Sequence, residues 1–240
     1  MNTLAGLTNL RTTGLLLLMM ALCHQLTLAQ GRSGKEKSDK SIRNATDAFL
    51  DLTDMDGDEE IPQKLINQAE GIVIFPKALK VAFGVGGQGG RGFAIVRKED
   101  GHWSNPYFVG MGEASVGAQI GVQSTDIILL FKHRKNLLDL EKGDMTLGGD
   151  VGLAAGPIGR NSSATTDIGF DAEIYSYSKS KGLYAGISLE GNVLKANDQL
   201  NSSYYEIPAK GSQEKIYYQL PTPYNETVAA FLEAVAHAAR

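Results

Sequence analysis

The sequence predicts an α+β fold in which a strongly curved, antiparallel, glycine-rich β-sheet or partial barrel is flanked by helices at both ends. Three observations favour this fold. Runs of β-branched and aromatic residues alternate with glycine from about residue 80 to residue 190, amphipathic helical patterns precede them, and another helical pattern ends the chain. Glycine supplies 28 of the 240 residues, and it permits the tight bends of a curved sheet.

Residues 1–29 have the pattern of a secretory signal peptide. Arg11 precedes an apolar run at residues 14–22, and a small-x-small cleavage pattern ends at Ala29. The apolar run is short for a membrane-spanning helix, although an uncleaved anchor remains the alternative. We therefore expect the protein to be exported to the periplasm, the cell envelope or the outside of the cell.

The single cysteine, Cys23, lies inside this expected signal. A lipoprotein cysteine needs a small residue immediately before it, and Leu22 stands there instead. Cleavage at Ala29 would remove the thiol, which excludes disulfides and cysteine–zinc sites from the mature protein. The remainder is expected to comprise a flexible leader at residues 30–40 and a single domain at residues 41–240.

The first helical pattern begins at Ser41, and an acidic run at residues 47–60 follows its apolar residues. Asp54, Asp56 and Asp58 have the spacing of the first ligands of a calcium-binding loop. The rest of that loop is wrong, because Glu59 occupies the obligatory glycine position and Leu65 the position of the bidentate glutamate. We expect a solvated connection between helices and no metal site.

The remaining elements follow from turn and capping residues. Pro62 and Gly71 suit the two ends of a second helix, and Pro76 is expected to end the strand that comes next. Asp100-Gly101 is a hairpin signal, residues 132–143 indicate a short helix, and two strands meet around residues 180–182. Residues 114–131 read as a glycine-rich strand followed by an apolar one. The last helix is predicted to have Thr222 as its cap and a buried face made of Val228, Phe231, Leu232 and Val235.

A G-x-G-x-x-G motif at Gly84, Gly86 and Gly89 raises the question of a nucleotide cofactor. The motif binds nucleotides when it follows a strand and opens a helix, but here it leads into residues 91–97, which have a strand pattern. The near balance of 23 basic and 27 acidic residues gives no indication of nucleic-acid binding. The histidines, serines and carboxylates form no recognisable catalytic pattern, so we expect neither an enzyme nor a cofactor.

Four N-x-S/T sequons occur, at Asn44, Asn161, Asn201 and Asn225. In a secreted eukaryotic protein they would mark surface loops, whereas in a bacterial protein they would carry no such meaning.

Several long phrases of the chain, in order, resemble the SYLF-domain family, which includes yeast actin-patch proteins and many exported bacterial relatives. They are IPQKLINQAEGIVIFPKALK, GVGGQGGRGFAIVR, WSNPYFVGMGEASVGAQIGVQSTDIILL, LGGDVGLAAGPIGR and YSYSKSKGLYAGISLEG, and the match covers residues 61–205. The resemblance implies a non-catalytic lipid-binding module. Eukaryotic members bind phosphoinositides and, in yeast, actin filaments; export makes actin an unsuitable partner here.

The resemblance also implies where lipid would bind, because the family's lipid contact is associated with an N-terminal amphipathic helix and basic residues. The alternative is that this helix packs on the protein's own β-sheet, which would leave the basic residues of the sheet as candidates. The candidate lipid-binding residues are Lys40, Ile42, Arg43, Phe49, Lys77, Lys80, Arg91, Lys132, Arg134 and Lys135.

The expected function is binding to an anionic phospholipid or membrane surface, with an envelope protein as a further partner and no role for nucleic acid. The alternative is a structural or interaction scaffold of the periplasm or envelope that has no lipid specificity. A lipid binder should place several basic side chains on one face beside exposed apolar residues, whereas a scaffold should scatter them.

Overall fold

The computed structural model describes residues 34–53, 61–157, 170–180, 183–186 and 189–239, and only the backbone of 81–86, 114–121, 180 and 183–186. The expected signal peptide, residues 54–60 of the acidic run and the sequon at Asn161 lie outside the described residues. The chain divides into two compact units, Met1–Ser38 and Asp39–Arg240.

Most helices lie at the two ends of the chain and the strands lie between them, with one short helix interposed, as is typical of an α+β protein. The helices are α1 (34–53), α2 (Gln63–Gln68), α3 (Arg134–Leu138) with a 3₁₀ turn (Asp139–Glu141), α4 (Asp198–Tyr205), α5 (Ser212–Glu214) with a π-helix (Lys215–Gln219), and α6 (Glu226–Ala238). The strands are β1 (Gly71–Val96), β2 (Tyr107–Phe131), β3 (Met145–Thr146), β4 (Leu153–Ala155), β5 (Ile174–Ser180), β6 (Leu183–Gly186) and β7 (Val193–Ala196). α1 includes residues 34–40, which we had expected to be a leader.

Within the described residues, seven strands form one strongly curled sheet, as the sequence predicted. The strand order is β3-β7-β2-β5-β4, with β1 paired to β2 and β6 paired to β5. All pairs are antiparallel except β4 with β5, which is parallel. The long hairpin of β1 and β2 is the framework of the sheet, because β5 and β7 both pair with β2, at opposite ends of that strand.

β1 bends so sharply that its two ends meet. The N–H of Arg97, just past the end of β1, donates to the carbonyl oxygen of Glu70, just before its start, at 2.8 Å. Where the two halves of β1 pack together, Gly92 lies so close to Ile74 that a Cβ on the glycine would be 2.0 Å from the Ile74 carbonyl oxygen. The curvature therefore depends on the missing side chain at this position.

The prediction that Pro76 ends the first strand was wrong. Pro76 and Lys77 form a β-bulge opposite Asp126, and the ladder resumes at Ala78. Lys77 has a φ of 55°, and its N–H donates to Oδ1 of Asp126 at 2.7 Å. Because the aspartate accepts this bond, the strand continues past a residue that has no N–H to donate.

The G-x-G-x-x-G glycines lie within β1, so the prediction of a glycine-rich strand region instead of a nucleotide loop is confirmed. Residues 114–131 belong to one continuous strand, contrary to the two strands that we predicted. The hairpin turn at Gly101 is confirmed by its φ of 83°. α2 ends before Gly71, which instead begins β1.

The C-terminal helix begins at Glu226, four residues after its predicted cap, Thr222. The side chain of Asn225 accepts a hydrogen bond from the N–H of Val228 and is the observed cap, where we had predicted Thr222. Val228, Phe231 and Val235 are buried as predicted, and Leu232 is half-buried. Edge-to-face rings connect this helix to α1, the sheet and α4, through Phe49, Phe93, Phe108, Tyr204 and Phe231.

The described sequons do not mark surface loops. Asn44 lies within α1. Asn201 is fully buried in α4, where its side chain accepts from the N–H of Phe108 at 2.7 Å and donates to the carbonyl oxygen of the same residue at 2.9 Å. Asn225 caps α6. The amides of Asn201 and Asn225 are thus part of the structure of the folded protein.

Candidate membrane-binding surfaces

The ten candidate lipid-binding residues fall into three groups in the structure. One group lies on α1, one on β1, and one at the junction between β2 and α3. The groups are Lys40, Ile42, Arg43 and Phe49; Lys77, Lys80 and Arg91; and Lys132, Arg134 and Lys135.

The apolar residues of α1 face the protein's own core. Ile42 and Phe49 are fully buried, and the ring of Phe49 packs edge-to-face on Phe231 with 6.5 Å between the ring centroids. Lys40 and Arg43 are exposed on the other side of the helix. The structure therefore does not bring the basic and apolar residues of α1 together on one surface. A lipid contact by Ile42 or Phe49 stays a prediction that requires α1 to leave the core.

Polar contacts also hold α1 in place. The phenol of Tyr204 donates to Oδ1 of Asp39 at 2.6 Å, and Nδ2 of Asn225 donates to the Tyr204 oxygen at 2.8 Å. The pKa of Tyr204 is raised mainly by burial and, to a smaller extent, by the hydrogen bond to Asp39. Further along the helix, Nζ of Lys179 lies 3.1 Å from Oδ2 of Asp51. Sequence reasoning missed these contacts, because partners so far apart along the chain leave no local pattern.

In the third group, Arg134 has a structural role. Its Nη1 donates to the carbonyl oxygen of Arg97 at 3.0 Å, and its Nη2 lies 3.5 Å from Oε1 of Glu99. Its backbone N–H donates to Oε2 of Glu70 at 3.0 Å. Lys132 is half-buried and Lys135 is exposed. Arg134 thus helps to close the sheet where the ends of β1 meet, and its guanidinium is already bound to the Arg97 carbonyl oxygen and the Glu99 carboxylate.

The β1 group lies on or beside a two-stranded segment in the middle of the long hairpin. We call residues 77–91 of β1 and 114–125 of β2 the central ribbon. β2 pairs with β7 through residues 109–112 and with β5 through residues 126–131. Between these stretches, β1 is the only described strand that pairs with β2.

The charged residues inside the central ribbon are Lys77, Lys80 and Arg91, in a chain whose net charge is −4. Two acidic residues border it: Glu113 pairs with Gln88, and Asp126 accepts from the N–H of Lys77. All three side chains are exposed. Among the described residues, none of the three forms an ion pair. Their charge is therefore available to an anionic partner.

Exposed apolar side chains accompany these cations. Leu79 is 51% exposed and Val122 is 73% exposed, although both lie in strands. Sequence reasoning named the lysines of this region but neither of these residues. No local signal marks them, because KALKVAF at residues 77–83 does not alternate between apolar and polar residues and Val122 lies on the other strand.

The described part of the chain shows no other chemistry that favours a different kind of site. It contains no cluster of three His, Cys, Asp or Glu side chains placed to hold a metal ion. His102 and His133 are exposed near Asp100 and Glu173. Among the same residues, no helix has the length and apolarity needed to cross a membrane.

A family model and several relatives that match this chain all point to the same protein family. Residues 112–238 match the family model described as "Ysc84: Las17-binding protein actin regulator". The chain is 40% identical over 169 residues to the SH3 domain-containing protein PJ696.02 of Schizosaccharomyces pombe, covering 68% of this chain and 39% of the relative. It is 33% identical over 176 residues to human SH3 domain-containing YSC84-like protein 1, covering 72% and 50%. It is 35% identical over 151 residues to protein YSC84 of Saccharomyces cerevisiae, covering 62% and 32%. The matches thus span half or less of these relatives.

Proposed function

Because this chain belongs to the Ysc84 (SYLF) family, a family of binding modules with lipid- and actin-patch-associated roles, we propose that it is a non-catalytic module that binds anionic phospholipid at a membrane surface. The observation that carries the proposal is the central ribbon, where three exposed and unpaired cations accompany exposed apolar side chains. No catalytic residue, cofactor or metal has a part in this function.

The strength of such binding follows from the charges. Each lysine or arginine near an anionic leaflet contributes about 1 kcal/mol, and salt screens this contribution within a Debye length of about 8 Å. Lys77, Lys80 and Arg91 alone would therefore give weak, salt-sensitive binding. Stable attachment needs a second contribution, as it does for other peripheral proteins.

The proposed location is the cell envelope or the extracellular side of a membrane, and it rests on the signal-peptide pattern of residues 1–29. The family model is described by Las17 binding and actin regulation. An exported protein would not meet cytoplasmic actin, so we propose a membrane as the main partner, with an envelope protein as a further one. An envelope scaffold without lipid specificity is the competing function.

Vesicle flotation of residues 30–240 tests the proposal. Neutral vesicles are compared with vesicles that contain phosphatidylglycerol, cardiolipin or phosphoinositide, each at low and at high salt. We expect the protein to float with anionic vesicles and to be released by salt. Failure to float with any of them would refute the lipid function and favour the scaffold.

Two double variants test whether vesicle binding depends on the ribbon or only on the net charge of the protein. Lys77→Glu with Lys80→Glu and Lys210→Glu with Lys215→Glu change the net charge equally, and neither Lys210 nor Lys215 forms an ion pair among the described residues. Only the ribbon pair should abolish flotation. Equal losses would mean that net charge, and not a surface, governs binding.

A further inference from the structure

Four large apolar side chains of the described residues are more than two-fifths exposed: Leu50, Leu79, Val122 and Tyr218, at 43%, 51%, 73% and 45%. Two of these belong to the central ribbon, and Val122 is the most exposed of all. An isolated exposed apolar residue needs no explanation, but two on one short piece of sheet form a patch.

The strand register places these two residues on the same face. Leu79 pairs with Ser124, and Val122 lies two residues from Ser124 on β2. Residues that are two apart on a strand share a face, so Leu79 and Val122 are diagonal neighbours. Lys80 pairs with Gln123 and belongs to the opposite face.

Both faces of the ribbon are exposed here, which distinguishes it from the rest of the hairpin. Lys80 and Gln123 on one face and Leu79 and Val122 on the other are all exposed. By contrast, residues 72–75 of the same strand are completely buried. At this point the ribbon exposes both faces: Leu79 and Val122 form an apolar face, and Lys80 extends from the opposite face. The long side chain of Lys80 must therefore reach past the edge of the ribbon to meet the same headgroups.

We infer that the central ribbon is the part of the domain that enters the interface of an anionic bilayer, with Leu79 and Val122 as its apolar contacts and Lys77 and Lys80 as its headgroup contacts. This inference rests on the proposed lipid function and adds its contact site. It commits to an anionic bilayer because Lys77, Lys80 and Arg91 are exposed without an ion pair among the described residues, and exposed apolar side chains lie on the same ribbon. α1 keeps its apolar face in the protein core.

The ribbon enters only to a shallow depth. From residue 113 to residue 125, β2 has no described strand on its second edge. Unpaired backbone N–H and C=O groups are strongly unfavourable in the hydrocarbon region but are satisfied by water at headgroup depth. The lysine side chains are long enough to reach phosphates while their stems cover apolar surface.

A fluorophore placed at single positions reports the contact site directly. Cys23→Ser removes the only cysteine of the full chain. An environment-sensitive dye is then attached to Leu79→Cys, Val122→Cys, Leu50→Cys or Tyr218→Cys, four positions with comparable starting exposure. With phosphatidylglycerol vesicles we expect blue shifts at 79 and 122 only. Bromine near the headgroup end of the acyl chains should quench these dyes more than bromine near the chain terminus.

Uncharged variants measure the apolar contribution without altering electrostatics. Leu79→Gln with Val122→Gln should weaken vesicle partitioning by about tenfold or more, while Leu50→Gln with Tyr218→Gln should change it less than about threefold. Circular dichroism checks that each variant is folded.

The possible outcomes separate this inference from the function on which it rests. If the unaltered protein does not bind vesicles, the lipid function itself fails. If it binds but the dyes at 79 and 122 do not respond, or the dye at 50 responds instead, the ribbon is not the contact and the inference is overturned. A blue shift of the dyes at 79 and 122 that grows with protein concentration in the absence of vesicles would mean that the ribbon binds a second copy of the chain. That result would also overturn the inference.

Discussion

Replacing Gly92 with alanine should disrupt the bend on which the sheet depends. The new Cβ would lie 2.0 Å from the carbonyl oxygen of Ile74 and 2.7 Å from Cδ1 of Phe75. Ile74 and Phe75 are fully buried, and the oxygen belongs to the backbone, so no flexible side chain can move aside. The two halves of β1 would have to separate by about 1 Å in a close-packed interior.

The expected loss of stability lies at the upper end of the range for overpacked cores. Such substitutions typically cost about 1–3 kcal/mol, and a contact with the backbone justifies an estimate of about 3 kcal/mol or more. Domains of this size lose about 2–4 °C in melting temperature per kcal/mol, so the melting temperature should fall by about 6–12 °C. This is a large fraction of a typical stability of about 5–15 kcal/mol.

Gly112→Ala provides the matched control for the Gly92→Ala experiment. Gly112 lies in β2, and a Cβ there would have no atom within 4 Å. Its substitution should be neutral or stabilise by about 0.4–1 kcal/mol, because alanine restricts the unfolded chain. Urea unfolding followed by circular dichroism measures both variants. If Gly92→Ala and Gly112→Ala unfold at the same urea concentration, the close approach at Ile74 does not determine the curvature and the reasoning is refuted.

Three further predictions concern buried polar groups. Tyr204→Phe should lower the free energy of unfolding by about 1.5–3 kcal/mol through loss of its bond to Asp39; an unchanged urea midpoint would contradict this role. Asn201→Ala should cost about 2–4 kcal/mol, because both the N–H and the carbonyl of Phe108 lose a buried partner, and a loss below about 1 kcal/mol in the same assay would argue against that pairing. Alkaline pH should destabilise the protein, because the pKa of several buried tyrosines is higher in the folded state than in the unfolded state. The stability that this difference contributes is complete below the ordinary tyrosine pKa of about 10 and is lost as the pH rises above it. Urea midpoints and phenolate absorbance from about pH 8 to pH 12 test this, and full ionisation near pH 10 in the still-folded protein would contradict it. The tyrosines whose pKa burial raises are Tyr107, Tyr177, Tyr204, Tyr205 and Tyr217.

Much of the fold could be predicted because its signals are local. Alternating apolar and glycine residues specify strands, and the turn at Gly101 needs a positive φ that glycine adopts readily. The continuation of β1 past Pro76 could not be predicted, because it depends on a hydrogen bond to Asp126, a residue 49 positions further along the chain. A local pattern contains no information about such a partner.

α4 shows a second limit of sequence reasoning. Its sequence, DQLNSSYY, is rich in serine and asparagine, which favour helix interiors weakly, so its pattern did not predict a helix. The structure compensates through tertiary contacts: Asn201 binds the backbone of Phe108, and the phenol of Tyr205 donates to the carbonyl oxygen of Pro106. The buried residues of this helix are Asn201, Tyr204 and Tyr205, which carry hydrogen-bonding groups and include no aliphatic side chain, so the usual aliphatic signature of a buried helix face is absent.

The candidate site was only partly predictable, because an amphipathic helix looks the same whether its apolar face meets a membrane or the protein's own core. α1 has the apolar spacing and the basic residues of a membrane-surface helix, yet Ile42, Phe49 and Leu52 are buried. The lysines of the ribbon were recognisable as charges. The lack of ion pairs to them among the described residues, and the exposure of Leu79 and Val122 on the same ribbon, depend on the three-dimensional structure.

An energy comparison explains why the ribbon suits membrane contact better than α1. Releasing α1 would remove three large side chains from the core, at about 1.5–3 kcal/mol each, and break the Tyr204–Asp39 bond, at about 1.5–3 kcal/mol. A membrane could return the apolar contribution and about 1 kcal/mol for each of Lys40 and Arg43, which leaves little net gain. The ribbon exposes its apolar and cationic groups in the folded domain and has no such release cost. Membrane contact through the ribbon therefore needs no rearrangement of the core, whereas contact through α1 requires an additional source of free energy.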